Sequence, residues 1–301
     1  MEIYFSGIGP DIACEYFERT GVKINVLLSF ADVKGSALEE AQRYKPYVEN
    51  LMLDSGAFTS FGLGEYEAET MNRNFEAFLK ISDKNILENT FSQIFSFDPI
   101  PDAIGFERNR LRYLELRKIY PKLTAVVHNI QKDSEEIDWY LSQKPYAIAI
   151  GKCEDKANIK KVKPWADKIN ATSDVIFHYL GVFRQDVLEA CYPDTCDATS
   201  ALAYALNGVT IYYPPNSNEK YDNLYFSNRM GKVKPGHHSI STYQYADAFF
   251  QEMEANLKIK FADFHKASTE TQSLALVNIY TFLKMVDFIN KKHVQHDLMV
   301  T

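Results

Sequence analysis

Residues 51–61 read LMLDSGAFTSF, in which three apolar residues run directly into Asp54, a hydroxyl and a glycine. A short apolar run bounded by turn-forming residues is typical of a buried β-strand. Functional groups gather at the carboxyl ends of parallel strands, so Asp54 is predicted to lie where such a strand ends at a working surface.

Eight short, β-rich apolar runs of this kind recur along the chain. They are Ile3–Ser6, Ile24–Ser29, Leu51–Asp54, Gln93–Asp98, Thr124–His128, Tyr146–Gly151, Val175–Leu180 and Thr195–Thr199. The segments between them carry apolar residues at three- and four-residue spacing, which predicts helices such as Ser36–Tyr47, Glu67–Leu79, Ile104–Ile119, Ser134–Ser142 and Gln185–Ala190. This alternation predicts an α/β fold, a (β/α)₈ TIM barrel, with an open doubly wound sheet as the alternative.

The amino-acid composition of the sequence changes after residue 208. The stretch that follows is rich in Tyr, Asn, Pro and Gly, and it predicts a long hairpin or loop. Beyond it, Tyr243–Leu257 and Thr271–Asn290 have amphipathic helical periodicity. We therefore expect a barrel domain over 1–238 and, over 239–301, a C-terminal helical extension packed on the barrel.

The composition of the chain limits the classes of function that we expect for it. The chain has 301 residues and a formal net charge of −7, which argues against a protein that coats nucleic acid by electrostatics alone. The four cysteines show no CxxC pairing, and no segment reaches the roughly 18 apolar residues of a membrane span, so we expect a cytoplasmic protein. Of two basic segments, 156–168 is typical of a solvated helix face, whereas 228–238, with Arg229, Lys232 and Lys234, could contact nucleic acid.

The predicted strands place an unusual set of side chains at the carboxyl-terminal end of the barrel, which we call the mouth. In chain order these are Asp54, Ser55, Gly56, Asp98, His128, Gly151, Lys152, His178, Gly181 and Asp197. Carboxylates and histidines in a ring could ligate a divalent metal, or two carboxylates could act as nucleophile and general acid/base at a sugar carbon. Each Asp taken singly could also be only a helix cap or a turn residue, and spacing does not separate these alternatives.

Four motifs resemble those of a known family. DSGAF (54–58), FSFD (95–98), YAIAIGK (146–152) and HYLGVFRQDVLEACYPDTCDATS (178–200) are similar to motifs of the tRNA-guanine transglycosylase superfamily. They look closest to its DNA 7-deazaguanine transglycosylase branch, which occurs in phages and DNA-modification clusters, and the resemblance covers roughly residues 50–235. It implies a TIM-barrel enzyme that exchanges guanine in a polynucleotide for a 7-deazaguanine base, without metal or organic cofactor.

The resemblance also implies roles for individual residues. Asp197 matches the nucleophile, Asp54 the general acid/base, and Asp98 the carboxylate that binds the polar edge of the purine. The remaining substrate-binding positions implied are Phe58 and Leu180, which would stack on the two faces of the base, and Ser55, Gly56, His128, Gly151, Lys152, His178 and Gly181, which would line the pocket. The implied partners are nucleic acid, with DNA favoured over tRNA, and a free 7-deazaguanine base. No membrane partner is implied. A helper protein or a homo-oligomer is compatible with the resemblance.

The sequence departs from the family pattern at several places. No cysteine follows Cys196, whereas the tRNA enzymes carry a zinc site there, which puts a tRNA substrate in doubt. Ala57 stands where the family has a second Gly, and Asp194 lies close enough in sequence to compete with Asp197 as nucleophile. Lys152 stands in place of a Glu, which predicts a preference for a 7-cyano over an aminomethyl base unless Lys152 instead pairs with Glu154 or Asp155.

Three alternative functions remain open at this point. One is a tRNA-guanine transglycosylase. The others are a metal-dependent barrel hydrolase with Asp54, His128, His178 and Asp197 as ligands, and a nucleic-acid-binding barrel without catalysis. If the protein is encoded by a phage, the cytoplasm in which we expect it is that of the host cell.

Overall fold

The structure is a computed structural model. The residues that it describes are 1–33, 36–56, 65–96, 103–127, 135–150, 158–215, 217, 220–226, 237–264 and 269–300.

Eight parallel strands pair in sequence order and close on themselves. They are β1 (Glu2–Ser6), β2 (Ile24–Ser29), β3 (Val48–Asp54), β4 (Gln93–Phe95), β5 (Leu123–Val127), β6 (Ala147–Ile150), β7 (Ile176–Tyr179) and β8 (Thr195–Ala198). The barrel closes where β1 pairs with β8 in parallel, with Tyr4 opposite Asp197. The predicted (β/α)₈ TIM barrel is therefore confirmed, and the alternative of an open sheet is wrong.

The helices of the described residues lie between these strands and after β8. In chain order they are α1 (Pro10–Thr20), α2 (Phe30–Val33), α3 (Ala37–Tyr44), α4 (Glu65–Ile81), α5 (Lys84–Thr90), α6 (Ala103–Ile119), α7 (Glu135–Ser142), α8 (Ile159–Asn170), α9 (Gln185–Cys191), α10 (Ser200–Leu206), α11 (Ala246–Leu257) and α12 (Glu270–Val300). None of the helices among the described residues is both long and apolar enough to cross a membrane. The basic segment at 156–168 enters α8, where Lys163 pairs with Asp167 at 2.7 Å and Lys168 pairs with Asp138, so its described part is a charged surface helix as predicted.

Contacts divide the chain into two compact units. The first comprises Met1–Gly7 and Asn25–Ala198, and the second comprises Ile8–Ile24 and Thr199–Thr301. The predicted domain boundary at 238/239 stays a prediction.

The first unit is organised around the inward-facing residues of the strands. Since side chains alternate along a strand, every second residue faces the barrel interior. One interior layer is a buried apolar cluster to which six strands contribute, namely Tyr4, Leu27, Met52, Phe95, Val126 and Ala149. Two residues further along β1, β2 and β3, the interior positions are Ser6, Ser29 and Asp54. The interior thus changes from apolar to polar at the carboxyl ends of these strands.

At its other end the barrel interior is also polar. The Asn50 amide donates to Asn25 Oδ1 at 3.2 Å, and the Asn25 amide donates to Glu2 Oε2 at 3.5 Å. Strand β3 therefore begins at Val48, three residues before the predicted Leu51, because an inward-facing Asn breaks the apolar run while continuing the strand.

The second unit contains a small sheet and two long helices. Strand β9 (Val209–Tyr212) pairs antiparallel with β10 (Asp222–Tyr225), which pairs in parallel with β11 (His237–Ser239). This confirms the predicted hairpin, and α11 and α12 confirm the two predicted helices, the second running on to Val300. The Asn278 amide donates to the carbonyls of Ala201 and Val209 at 3.0 and 3.1 Å, which joins α12 to α10 and β9.

Candidate active site

Asp197 lies in β8 with its carboxylate at the centre of a hydrogen-bond network. Its side chain faces the barrel interior, since Asp197 pairs with Tyr4 of the interior cluster, and the residue is 3% exposed. Ser6 Oγ donates to Oδ2 at 2.9 Å, the Gly181 amide donates to Oδ1 at 2.5 Å, and His178 Nε2 lies 3.3 Å from Oδ1. An ionised carboxylate can only accept hydrogen bonds, so three donors on two oxygens hold it in one orientation.

His178 is in turn held by its neighbours. Its ring is fully buried in β7, with Nδ1 2.8 Å from Thr195 Oγ1 and the Phe95 ring packed edge-on at 4.8 Å. The carboxylate of Asp197 can only accept a hydrogen bond, so Nε2 carries the proton when the ring is neutral. The other ring nitrogen, Nδ1, is then an acceptor, and the Thr195 hydroxyl donates to it. Thr195 and Phe95 therefore fix the ring that positions Asp197.

Gly181 supplies the shortest of the three contacts because the chain turns sharply after β7. Its φ is +64°, in the left-handed region where a side chain is disfavoured, and this conformation lets its amide reach Asp197. The preceding residue, Leu180, packs against the interior apolar cluster. The turn thus presents an apolar side chain and a backbone donor side by side at the mouth.

Asp54 is the last residue of β3 and occupies a different environment. Its Oδ2 accepts from the Gly56 amide at 2.9 Å, as in an Asx turn. Burial raises the pKa of its carboxyl from 3.8 to about 6, the negative charges of Asp197 and Asp32 add to the rise, and the amides of Gly56 and Ser55 oppose it. Asp54 can therefore hold or release a proton near neutral pH, which suits a general acid/base.

The backbone after Asp54 approaches α2 closely. Gly56 has a φ of +84°, and a Cβ built there would lie 2.5 Å from Ala31 Cβ and 2.7 Å from the Ala31 nitrogen. Only glycine fits this position without displacement of the backbone. The Gly of the DSG motif is thus explained by packing, and it keeps the Gly56 amide in line with Asp54.

Several hydroxyls lie at the mouth or directly beside it. Ser29 Oγ and Ser55 Oγ are buried and have no hydrogen-bond partner among the described residues. Ser6 and Thr195, by contrast, are bound into the Asp197 network. Sequence reasoning missed Ser6, Ser29 and Thr195, although counting two residues onward from an inward apolar residue would have marked Ser6 and Ser29 as interior.

The structure brings part of the predicted site together. Asp197, His178, Gly181 and Leu180 meet at the carboxyl ends of β7 and β8, and the charge of Asp197 acts on Asp54, with Ser55 and Gly56 next to it. Eight of the predicted site residues lie outside the described part of the chain: Phe58, Asp98, His128, Gly151, Lys152, Arg229, Lys232 and Lys234.

Asp194 belongs to the opposite end of the barrel. It precedes β8, its carbonyl accepts from the Glu2 amide at 2.8 Å, and its Oδ2 accepts from the Phe177 amide at 2.8 Å. Asp194 therefore caps the start of the strands, and Asp197 is the carboxylate of this pair that faces the mouth.

Within the described ranges, no three His, Cys, Asp or Glu side chains are grouped so as to hold a metal ion. His128, one of the four ligands expected for the metal-dependent alternative, lies outside those ranges.

Comparison with known proteins adds no family assignment: no protein-family model matches the chain, and no curated protein matches it.

Proposed function

We propose that this protein is a guanine transglycosylase, a pentosyltransferase that exchanges guanine in a polynucleotide, DNA favoured, for a 7-deazaguanine base. The observation that carries the proposal is that two carboxylates in contrasting environments lie at the carboxyl ends of β3 and β8 in one barrel. Asp197 is held by three donors, while the pKa of Asp54 is raised to about 6. Two carboxylates in contrasting environments can divide the roles of nucleophile and proton carrier between them.

The reaction proceeds in two displacements. In the first, an Asp197 oxygen forms a bond to C1′ while the bond from C1′ to guanine N9 breaks, and the leaving purine takes the proton of Asp54. In the second, N9 of the incoming base attacks C1′, its N9 proton passes to the Asp54 carboxylate, and Asp197 is released as a carboxylate. Charge and protons balance over the cycle, so no cofactor is consumed.

The base would be held by residues assigned through the family resemblance. Asp98 would accept from the purine's N1–H and amino group, and Leu180 and Phe58 would cover its faces. A target base inside a nucleic-acid stack has to be extruded before it can reach such a pocket. Arg229, Lys232 and Lys234 would bind phosphates of the polynucleotide, and the reaction would take place in the cytoplasm.

Uptake of labelled guanine tests the proposal. The protein is incubated with radiolabelled guanine and either DNA or tRNA, and label in the polymer is counted. We expect label in DNA with wild-type protein and none with Asp197→Ala, whose fold is checked by circular dichroism. Label in tRNA alone would favour the tRNA enzyme, and absence of label from both polymers would contradict the proposal.

A further inference from the structure

Ser6 occupies a place beside Asp197 that bears on the choice of sugar. Its hydroxyl donates to Asp197 Oδ2 at 2.9 Å, and the residue is 6% exposed at the end of β1. The position is fixed by the barrel, because Ser6 pairs with Leu27 on β2 and lies two residues beyond Tyr4 of the interior cluster. The hydroxyl is therefore a built-in donor to this carboxylate.

The hydrogen-bond capacity of Asp197 is nearly filled by the protein. A carboxylate offers about four lone-pair sites. Three are taken by Ser6, Gly181 and His178. The fourth is needed for attack on C1′, so this carboxylate has no acceptor site left for another donor during the reaction.

The group for which Asp197 has no free acceptor site is the 2′-hydroxyl of a ribonucleotide. C2′ is bonded directly to C1′, so a 2′-hydroxyl lies beside any carboxylate that attacks C1′. In retaining glycosyl transfer, the hydroxyl on the carbon next to the reaction centre typically gains hydrogen bonds in the transition state. Here the Ser6 hydroxyl already makes such a contact with the carboxylate.

We propose that Ser6 makes the site selective for 2′-deoxyribose, because its hydroxyl donates to Asp197 where the 2′-hydroxyl of a ribonucleotide would donate. The inference rests on the proposed function and names its substrate as deoxyguanosine. A ribonucleotide must either displace Ser6 or bury its 2′-hydroxyl without this acceptor. We expect the wild-type protein to prefer deoxyguanosine over guanosine by about tenfold to a hundredfold, the range for one unsatisfied buried hydroxyl.

The test varies the sugar and keeps the polymer the same. Single-stranded DNA oligonucleotides with randomised flanks carry their guanosines either all as 2′-deoxy or all as 2′-hydroxy nucleotides, and incorporation of labelled guanine is measured for each. Ser6→Ala removes the donor and frees an acceptor site on Asp197. We expect the deoxy-to-ribo ratio of rates to fall by about tenfold or more in Ser6→Ala.

Ser29→Ala is the matched control. It removes a hydroxyl from the interior face of the neighbouring strand, one with no described partner, and it should leave the ratio as in the wild type. The ratio is taken within each variant, so a loss of folded protein does not alter it.

The outcomes separate the inference from the proposed function. A Ser6→Ala ratio equal to that of the wild type, an equal shift in Ser29→Ala, or a Ser6→Ala protein inactive with both sugars would overturn the role of Ser6 in sugar choice. Exchange with neither oligonucleotide by the wild-type protein would overturn the proposed function itself.

Discussion

Replacement of Asp54 by Asn is expected to stabilise the protein while it removes activity. The pKa of Asp54 rises from 3.8 to about 6 on folding because burial and the charge of Asp197 disfavour the ionised form. Two pKa units correspond to about 3 kcal/mol. Asp54 keeps some contact with solvent, which screens its charge, so the expected gain in the free energy of unfolding of Asp54→Asn at pH 8 is about 1–2 kcal/mol.

The sign of the pH dependence follows from the raised pKa. Below about pH 3, Asp54 is protonated in both the folded and the unfolded chain, so its ionisation costs nothing there. The cost to the wild-type protein grows as the pH rises from 3.8, and it is complete above about 6. Asp54→Asn should therefore melt within about 1 °C of the wild type near pH 4 and about 2–6 °C higher at pH 8.

Thermal melts by circular dichroism from pH 4 to pH 8 measure this difference. Asp197→Asn is measured for comparison. Loss of the Asp197 charge lowers the pKa of Asp54, so the pH range in which the ionisation of Asp54 destabilises the protein moves to lower pH. A difference between Asp54→Asn and the wild type that does not change with pH, or a variant less stable at pH 8, would refute the argument.

Two further predictions concern single substitutions, and a third concerns a triple substitution. Gly56→Ala should lower the free energy of unfolding by about 2 kcal/mol or more, because its Cβ would meet Ala31; urea denaturation measures this, and a change under about 0.5 kcal/mol contradicts it. His178→Phe keeps a ring but loses the contact to Asp197, so the exchange rate should fall about tenfold to a hundredfold, and a rate within about twofold of the wild type contradicts that positioning role. Replacing Arg229, Lys232 and Lys234 with Ala should lower the slope of binding affinity against salt by up to about three units, whereas an unchanged slope would contradict a role of these residues in binding phosphates.

The strand pattern made the fold predictable from the sequence. Buried parallel strands are apolar on both faces, so their runs stand out, and all eight occur in the structure. Boundaries were less accurate where the interior is polar, as at Asn50, which lies inside β3 although it resembles a loop residue. The period of a strand shows which of its residues face inward, but it does not show that polar residues of different strands form one layer, because that layer forms only when neighbouring strands are placed side by side.

The site was predictable in its carboxylates and not in what holds them. Asp54 and Asp197 stand out because each ends or interrupts an apolar run. Ser6, in contrast, is far from Asp197 in sequence and reaches it only because the barrel closes between β1 and β8. The preference for Asp197 over Asp194 likewise required the structure, since only the strand register shows that the two face opposite ends.

If Asp197 is the nucleophile, a covalent intermediate that joins it to the sugar should form and can be trapped. The wild-type protein is incubated with a guanine-containing DNA oligonucleotide, quenched by acid, digested, and analysed by mass spectrometry for a peptide that carries the oligonucleotide sugar. We expect one adduct, on Asp197, that disappears when free guanine or a 7-deazaguanine base is added before the quench. An adduct on any other residue, or the absence of an adduct under conditions where label enters the DNA, would show that Asp197 is not the nucleophile.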